Sequence, residues 1–393
     1  MKILYGYSNC TDKKYSELMD GKNVSILRPD QKYHGLLIKG LAANGAEVRC
    51  FSGLPINRSL TKKVFIHEKD EQEDGVYYHY INTVNLPLLR QLTVFFGSFF
   101  GALRAKKTND TYIVCDCLNI ANAYGMMLAG KLRKIPVITI VTDLPDMMSQ
   151  GGIARRINNR FFGAVDGFIM LTEQMNSRIN HKAKPHIVLE GHVDSSLSEA
   201  DAAEKSEAKT GDSIIIYAGG INKKYGIKDL VEGFILACIP DSQLHIYGDG
   251  DFREELMSLS EKHPNVKYMG IKSNEEIVAE EQRASLLVNP RPTAPEYTKY
   301  SFPSKNMEYM VSGTPLLTTK LPGMPEEYYP YVYLLEDETP LGISDSLRSI
   351  FSLSLEERDQ KGAAARRFVL ENKSNIKQAN KITEFLRNEF GND

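Results

Sequence analysis

Apolar runs and longer helical patterns alternate along the first half of the chain. The runs Lys2 to Tyr7, Glu47 to Phe51, Val76 to Ile81, Thr111 to Cys115, Val137 to Val141, Gly167 to Leu171 and His186 to Leu189 read as strands. Helical patterns fall between several of them, at Tyr33 to Asn44, Leu88 to Lys106, Asn119 to Leu132, Ile153 to Phe162 and Glu173 to His181. Such alternation predicts a parallel sheet covered by helices on both faces. The acidic run Glu68 to Asp74 reads as a solvated loop before a strand.

From Ser196 to Asp212 the apolar periodicity vanishes and Ser, Ala, Glu, Asp and Lys dominate, which predicts a linker over 196–212 between domains 1–195 and 213–374. The alternation then restarts. Strands are expected at Ser213 to Ala218, Gln243 to Tyr247, Val266 to Met269, Ser285 to Val288, Pro315 to Thr319 and Val332 to Leu334. Helices are expected at Ile227 to Ala237, Phe252 to Lys262, Asn274 to Arg283 and Ser304 to Val311. The expectation is an α/β protein of two doubly wound domains facing a cleft, with the loops Gly219 to Gly226, Gly248 to Asp251 and Ile271 to Ser273 at strand carboxyl ends.

A chain of 393 residues has room for two domains with cores of their own. The net charge of −2 exerts no global pull toward nucleic acid. Cys10, Cys50, Cys115, Cys117 and Cys238 are odd in number and scattered, with no secretory signal ahead of them, so reduced thiols in the cytoplasm are expected. Cys115 and Cys117 have no second Cys or His pair at metal-site spacing and read as packing residues.

The segment FPSKNMEYMVSGTP, Phe302 to Pro315, carries the strongest chemical signal. Pro303 suits a first helical turn, and Gly313 with Pro315 suits its end. Free backbone N–H groups at Ser304 and Lys305, the positive end of the helix dipole and the Lys305 charge favour an anion such as phosphate. Glu308 follows Ser304 by four positions, on the same helix face about 6 Å along the axis. A carboxylate there accepts hydrogen bonds from two adjacent sugar hydroxyls, so the pair fits a nucleoside diphosphate. It fits an ordinary amphipathic helix with a surface Glu equally well. After Ala218, GGINKKYG supplies Gly219 and Gly220 for close backbone approach and Lys223 and Lys224 for charge. This pattern matches neither the Walker sequence nor the dinucleotide fingerprint, and a glycine turn with two solvated lysines also satisfies it.

Taken in order, IIIYAGGINKKYGIKDLVEGF, LHIYGDGDF, VKYMGI, FPSKNMEYMVSGTPLLTT and PGMPEEY resemble family 4 glycosyltransferases, the glycosyl transferases group 1. The first half is similar through NGAEVRCF, KIPVITIVTDLPD and EGHVD. The resemblance implies the GT-B fold, two Rossmann-like domains with acceptor on the first and nucleotide sugar on the second. It further implies a final helix within 375–393, about Ile376 to Phe390, crossing back to the first domain. Glu308 would bind the ribose hydroxyls and the backbone near Ile271 the base, with diphosphate between the Gly219 loop and Ser304. The implied activity is retaining, metal-independent hexosyl transfer without a cofactor.

The sequence departs from the family at Gly220 and Tyr225, where an Arg and a Lys are usual, and at Tyr300, where an earlier Glu is usual. Lys223, Lys224 or Lys305 would replace the basic residues, and Glu296 is the nearest carboxylate for the donor sugar. YTKYSFPSK resembles a branch used in bacterial surface polysaccharide assembly. Asp143, where the family often carries His, is placed to orient an acceptor hydroxyl or the donor sugar, or to cap a turn before Pro145. His34 and His192 read as structural.

Leu86 to Leu103 is strongly apolar, holds Arg90, and is followed by Arg104, Lys106 and Lys107. Pro, Gln, Ser and glycines argue against a membrane span. Interfacial contact through 86–107, helped by Arg155, Arg156 and Arg160, at the inner membrane face is one expectation, and a buried helix lining an acceptor cleft is the other. The expected partners are a nucleotide-sugar donor and a saccharide or lipid-linked acceptor, with no nucleic acid. An epimerase or hydrolase acting on the nucleotide sugar, or a degenerate transferase that only binds, are the competing readings.

Overall fold

The computed structural model describes residues 1–20, 29–148, 151–197 and 213–391. Residues 198–212, most of the expected linker, lie outside them. The chain divides into two units, Met1–His192 with Asn375–Asp393, and Val193–Ser374.

In the first unit the chain runs β1 (Lys2–Gly6), α1 (Asp12–Met19), α2 (Pro29–Ala43), β2 (Glu47–Ser52), β3 (Phe65–Ile66), β4 (Glu71–Glu73), β5 (Val76–Tyr80), β6 (Thr83–Val84) and α3 (Leu89–Arg104). It continues through β7 (Thr111–Asp116), α4 (Ile120–Arg133), β8 (Val137–Val141), α5 (Pro145–Met148), α6 (Gly152–Ala164), β9 (Gly167–Met170), α7 (Glu173–Ile179) and β10 (His186–Val188). The sheet order is β10-β9-β8-β7-β1-β2-β5-β4, parallel except where β4 joins β5. The central strands β1, β7 and β8 are buried along their whole length, as a strand covered on both faces must be.

The acidic run Glu68 to Asp74 is not a solvated loop. Its residues Glu71–Glu73 form β4, an antiparallel edge strand on β5. Asp74 and Gly75 both have positive φ, 47° and 77°, the backbone of a tight hairpin turn that Asp-Gly favours. The carboxylates are satisfied by neighbours: Glu71 accepts from Thr11 Oγ1 at 2.6 Å and Tyr80 Oη at 3.0 Å, and Lys39 reaches Asp74 at 2.9 Å.

The second unit runs β11 (Ser213–Ala218), α8 (Ile227–Ala237), β12 (Ser242–Tyr247), α9 (Arg253–Lys262), β13 (Val266–Gly270), α10 (Asn274–Arg283), β14 (Leu286–Asn289), α11 (Ser304–Ser312), β15 (Leu316–Thr319), β16 (Tyr333–Leu335), α12 (Pro340–Ser352) and α13 (Leu355–Asn372). Its six strands are all parallel, in the order β13-β12-β11-β14-β15-β16. This is the doubly wound Rossmann order, in which the chain reverses direction between β11 and β14. Ile227, Leu230, Val231 and Phe234 of α8 close one face of the sheet, and Met307, Tyr309 and Met310 of α11 the other.

Helix α14 (Asn375–Phe390) belongs to the first unit and packs on α2, burying Ala379, Ile382, Phe385 and Leu386. Gly40 allows the close approach, because a Cβ there would lie 2.4 Å from the Asn375 carbonyl oxygen. Asn375 Nδ2 donates to the Leu36 carbonyl at 3.0 Å, and Gln378 Nε2 to that of Gly191 at 2.7 Å.

Candidate active site

In the second unit, the loops after β11 and β14 flank the point where the winding reverses, and α11 starts beside them. Two buried hydrogen-bonding side chains fix α11 there. The Tyr309 hydroxyl accepts from the Ala218 N–H at 2.8 Å and donates to the Ala218 carbonyl at 3.1 Å, tying the helix to the residue before Gly219. Asn306 Oδ1 accepts from Asn289 Nδ2 at 2.7 Å and Thr318 Oγ1 at 3.2 Å, tying it to the ends of β14 and β15. Glu308 therefore lies on the turn adjoining the Gly219 loop.

Pro303 precedes α11 and no side chain caps the helix, so Ser304 stands exposed at a helix start with its dipole unopposed by a capping group. Lys305 Nζ pairs with Glu308 at 2.7 Å and lies 4.0 Å from buried Glu281. Burial alone would lower the Lys305 pKa. The Glu308 and Glu281 carboxylates outweigh it and raise the pKa above its ordinary value, so the ammonium stays charged.

The loop after β11 is fixed backbone to backbone. Gly219 N–H donates to the Tyr247 carbonyl at 3.0 Å and Ile221 N–H to that of Asp249 at 2.8 Å. A Cβ on Gly248, φ 129°, would lie 1.8 Å from the Gly219 carbonyl oxygen, so this close approach needs glycine. Gly226, φ 76°, plays the same part against the Pro290 carbonyl at 2.2 Å, locking this loop to the one after β14. Gly220 is exposed, and its carbonyl accepts from Tyr217 Oη at 2.9 Å. Ile271, 64% exposed, follows β13 at the same strand ends.

The lysines of GGINKKYG differ in circumstance. Lys223 Nζ is engaged by Glu255 at 2.7 Å. Lys224 Nζ lies 5.2 Å from the Tyr225 ring centroid, and Arg291, on the loop after β14, has its Cζ 4.9 Å from the same centroid. Neither cation has a carboxylate partner among the described residues. The Tyr297 hydroxyl is buried without a hydrogen-bond partner there, and burial raises its pKa against the opposing pull of Arg291 and Lys224. The uncompensated positive charge of this site thus sits on Lys224 and Arg291. Arg291 was not singled out from the sequence. Its signal is the strand order, which sets the loop after β14 against the loop after β11, and a linear reading does not contain that order.

Glu296 is exposed and opens a 3-10 turn, Glu296–Tyr300, anchored by Thr298 Oγ1 on the Pro295 and Thr293 carbonyls. Asp143 belongs to the first unit, exposed beyond the end of β8. Cys117 Sγ donates to its carbonyl at 3.9 Å. His34 is buried, its Nε2 3.2 Å from Asp116 and its Nδ1 2.5 Å from Tyr5 Oη, while His192 Nε2 lies 2.9 Å from the Tyr33 carbonyl. Among the described residues no three of His, Cys, Asp and Glu converge as metal ligands would.

Residues 198–368 match the family described as Glycosyl transferases group 1. Comparison with curated proteins finds no match. Among solved structures, Anabaena Alr3699/HepE in complex with UDP is similar at TM-score 0.65 and 13% identity, covering 99% of this chain and 100% of that one. Sucrose-phosphate synthase from Thermosynechococcus elongatus aligns at 0.64 and 16%, covering 99% of each chain. The apo lipopolysaccharide outer core galactosyltransferase WaaB aligns at 0.61 and 15%, covering 99% of this chain and 100% of that one. The chain has the GT-B fold, and residues 198–368 of it match the glycosyl transferases group 1.

Proposed function

We propose that this protein transfers a hexosyl group, with retention of configuration, from a nucleoside diphosphate sugar to a hydroxyl of a saccharide or lipid-linked saccharide in bacterial surface polysaccharide synthesis. The observation that carries the reading is the side-chain-free start of α11 beside the glycine loop, with Glu308 on the adjoining turn, in a group 1 domain. Glu308 takes the ribose hydroxyls, and the backbone beyond Gly270 meets the base at Ile271. Ser304, Lys305, Gly219, Gly220, Lys224 and Arg291 hold the diphosphate. Lys223 contributes only after leaving Glu255. Glu296 bonds the donor sugar, and Asp143 orients the acceptor.

The new glycosidic bond forms as the anomeric carbon leaves its phosphate oxygen, and the acceptor proton passes to that oxygen. The residues around the diphosphate stabilise the charge that develops there, without a metal. The HepE complex contains UDP, so uridine diphosphate sugars are the first donors to test. A peripheral contact of residues 86–107 with the inner membrane face would bring a lipid-linked acceptor within reach. No helix of the described residues is long and apolar enough to cross a membrane.

The test is thermal denaturation against a panel of nucleotides, followed by product analysis with acceptor present. Ligand at a hundred times its Kd should add about 2.7 kcal/mol of stability. Stabilisation by diphosphates with acceptor-dependent sugar transfer is expected. Absence of any diphosphate response would overturn the donor-site reading. Binding without transfer would favour the degenerate transferase suggested by Gly220, Tyr225 and Tyr300.

A further inference from the structure

Helix α3 lies close on the sheet of the first unit because two of its glycines face it. A Cβ on Gly97 would lie 2.2 Å from Ile81 Cγ2, and one on Gly101 would lie 2.6 Å from Phe51 Cε1. Beside this contact runs an open groove of about 570 Å³, walled by Phe51 and Ile81 from the sheet side and by Leu92, Phe96 and Phe100 from the helix. The walls continue onto an exposed apolar face of the same helix, where Leu92 is 52% and Phe96 50% exposed.

Two cations line this apolar groove. The Arg49 guanidinium lies over the Tyr77 and Phe51 rings, at 4.7 and 5.5 Å from their centroids, and Arg104 over Phe100 at 5.5 Å. Neither has a carboxylate partner among the described residues, and the buried Nε of Arg49 has no hydrogen-bond acceptor. The third basic group, His79, is already held by Asp70 at 2.9 Å. A purely apolar guest would leave the arginines unanswered, and an inorganic anion would leave the walls unused. Only a guest with both a hydrocarbon chain and an acidic group satisfies the whole lining.

We propose that this groove binds an acidic membrane phospholipid, its phosphate between Arg49 and Arg104 and the start of its chain along Phe51, Ile81 and Phe96. The proposal rests on the membrane part of the functional reading and is independent of glycosyl transfer. It turns a general affinity of α3 for an interface into a discrete lipid site.

The test uses the full chain and short-chain phosphatidylglycerol below its micelle concentration, with short-chain phosphatidylcholine as the zwitterionic control, followed by calorimetry. The expected result is binding of the acidic lipid, weakened roughly tenfold or more in Arg49→Gln/Arg104→Gln. It should be unchanged in Lys13→Gln/Lys381→Gln, which removes equal charge from exposed positions on α1 and α14. Arg104→Gln alone, at an exposed helix end, keeps the test sound if the double variant does not fold, and it should show a partial loss. Equal binding of both lipids, indifference to the arginine substitutions, or vesicle binding without monomer binding would overturn the site. Diphosphate stabilisation in the second unit should be the same in all of these variants, so failure here is separable from failure of the donor site.

Discussion

At the residue scale, the proposed donor site turns on where charge is left unanswered. Glu308 and Lys305 answer each other at 2.7 Å, so a diol and a phosphate entering together would separate a pair that already exists. Glu308→Ala should still fold, because Glu308 is only half-buried on the surface of α11, yet it should weaken nucleotide-sugar binding severely in calorimetry. Unchanged affinity would refute the ribose assignment. Arg291→Gln should weaken a nucleoside diphosphate by about tenfold to a hundredfold, the value of a charge-assisted hydrogen bond, while barely affecting the nucleoside. An equal loss for both ligands would make Arg291 a scaffold residue. The motif FPSKNMEYMVSGTP made Ser304, Lys305 and Glu308 legible as candidates, because the chemistry proposed for them depends on spacing along one helix. Arg291 and Tyr297 were not legible, because only the pairing of β14 with β11 sets their loop against the Gly219 loop. Lys223 looked as useful as Lys224 in sequence, and only the position of Glu255 separates them.

At the element scale, regular strands and helices followed from periodicity because each buries a continuous apolar face. The exceptions are elements held by something else. Strand β4 has the composition of a loop, and it is a strand because the Asp74-Gly75 turn folds it onto β5 and because partners satisfy its acids. Asp70, just before it, accepts from Tyr77 Oη at 2.6 Å and from the Tyr80 N–H at 3.1 Å, with His79 alongside. Burial alone would raise the Asp70 pKa, but these bonds outweigh it and lower it. A depressed carboxyl pKa stabilises the fold above its unfolded value of about 4 and ceases to as pH falls through the folded value. Asp70→Asn should therefore be less stable than the parent at neutral pH, by less than about 1 kcal/mol given solvent screening. The gap should close in strongly acidic solution. A gap independent of pH in denaturant titrations would show that the ionised carboxylate is not what matters.

At the scale of the whole molecule, each unit buries apolar clusters of its own, and α14 belongs to the first unit. Leu386→Ala should cost about 2–5 kcal/mol, the usual range for emptying a buried leucine site. That loss should fall on the first unit, so denaturant unfolding should separate into two transitions, with diphosphate protecting the later one. A single shifted transition would mean the units unfold as one. The restart of the strand and helix alternation after residue 212 made two lobes legible, but 198–212 adds no structural detail to the boundary because those residues lie outside the described ones.

The first unit is discontinuous in sequence, and this sets the order in which a nascent chain can finish folding. Its seam over α2 stays open until Asn375–Phe390 has been made, after every residue of the second unit. Multidomain chains ordinarily mature from the amino end as they leave the ribosome. Here the downstream lobe can close first, while the Leu36 and Gly40 side of α2 in the upstream lobe waits for its covering helix and stays open to chaperones or to a stray neighbour.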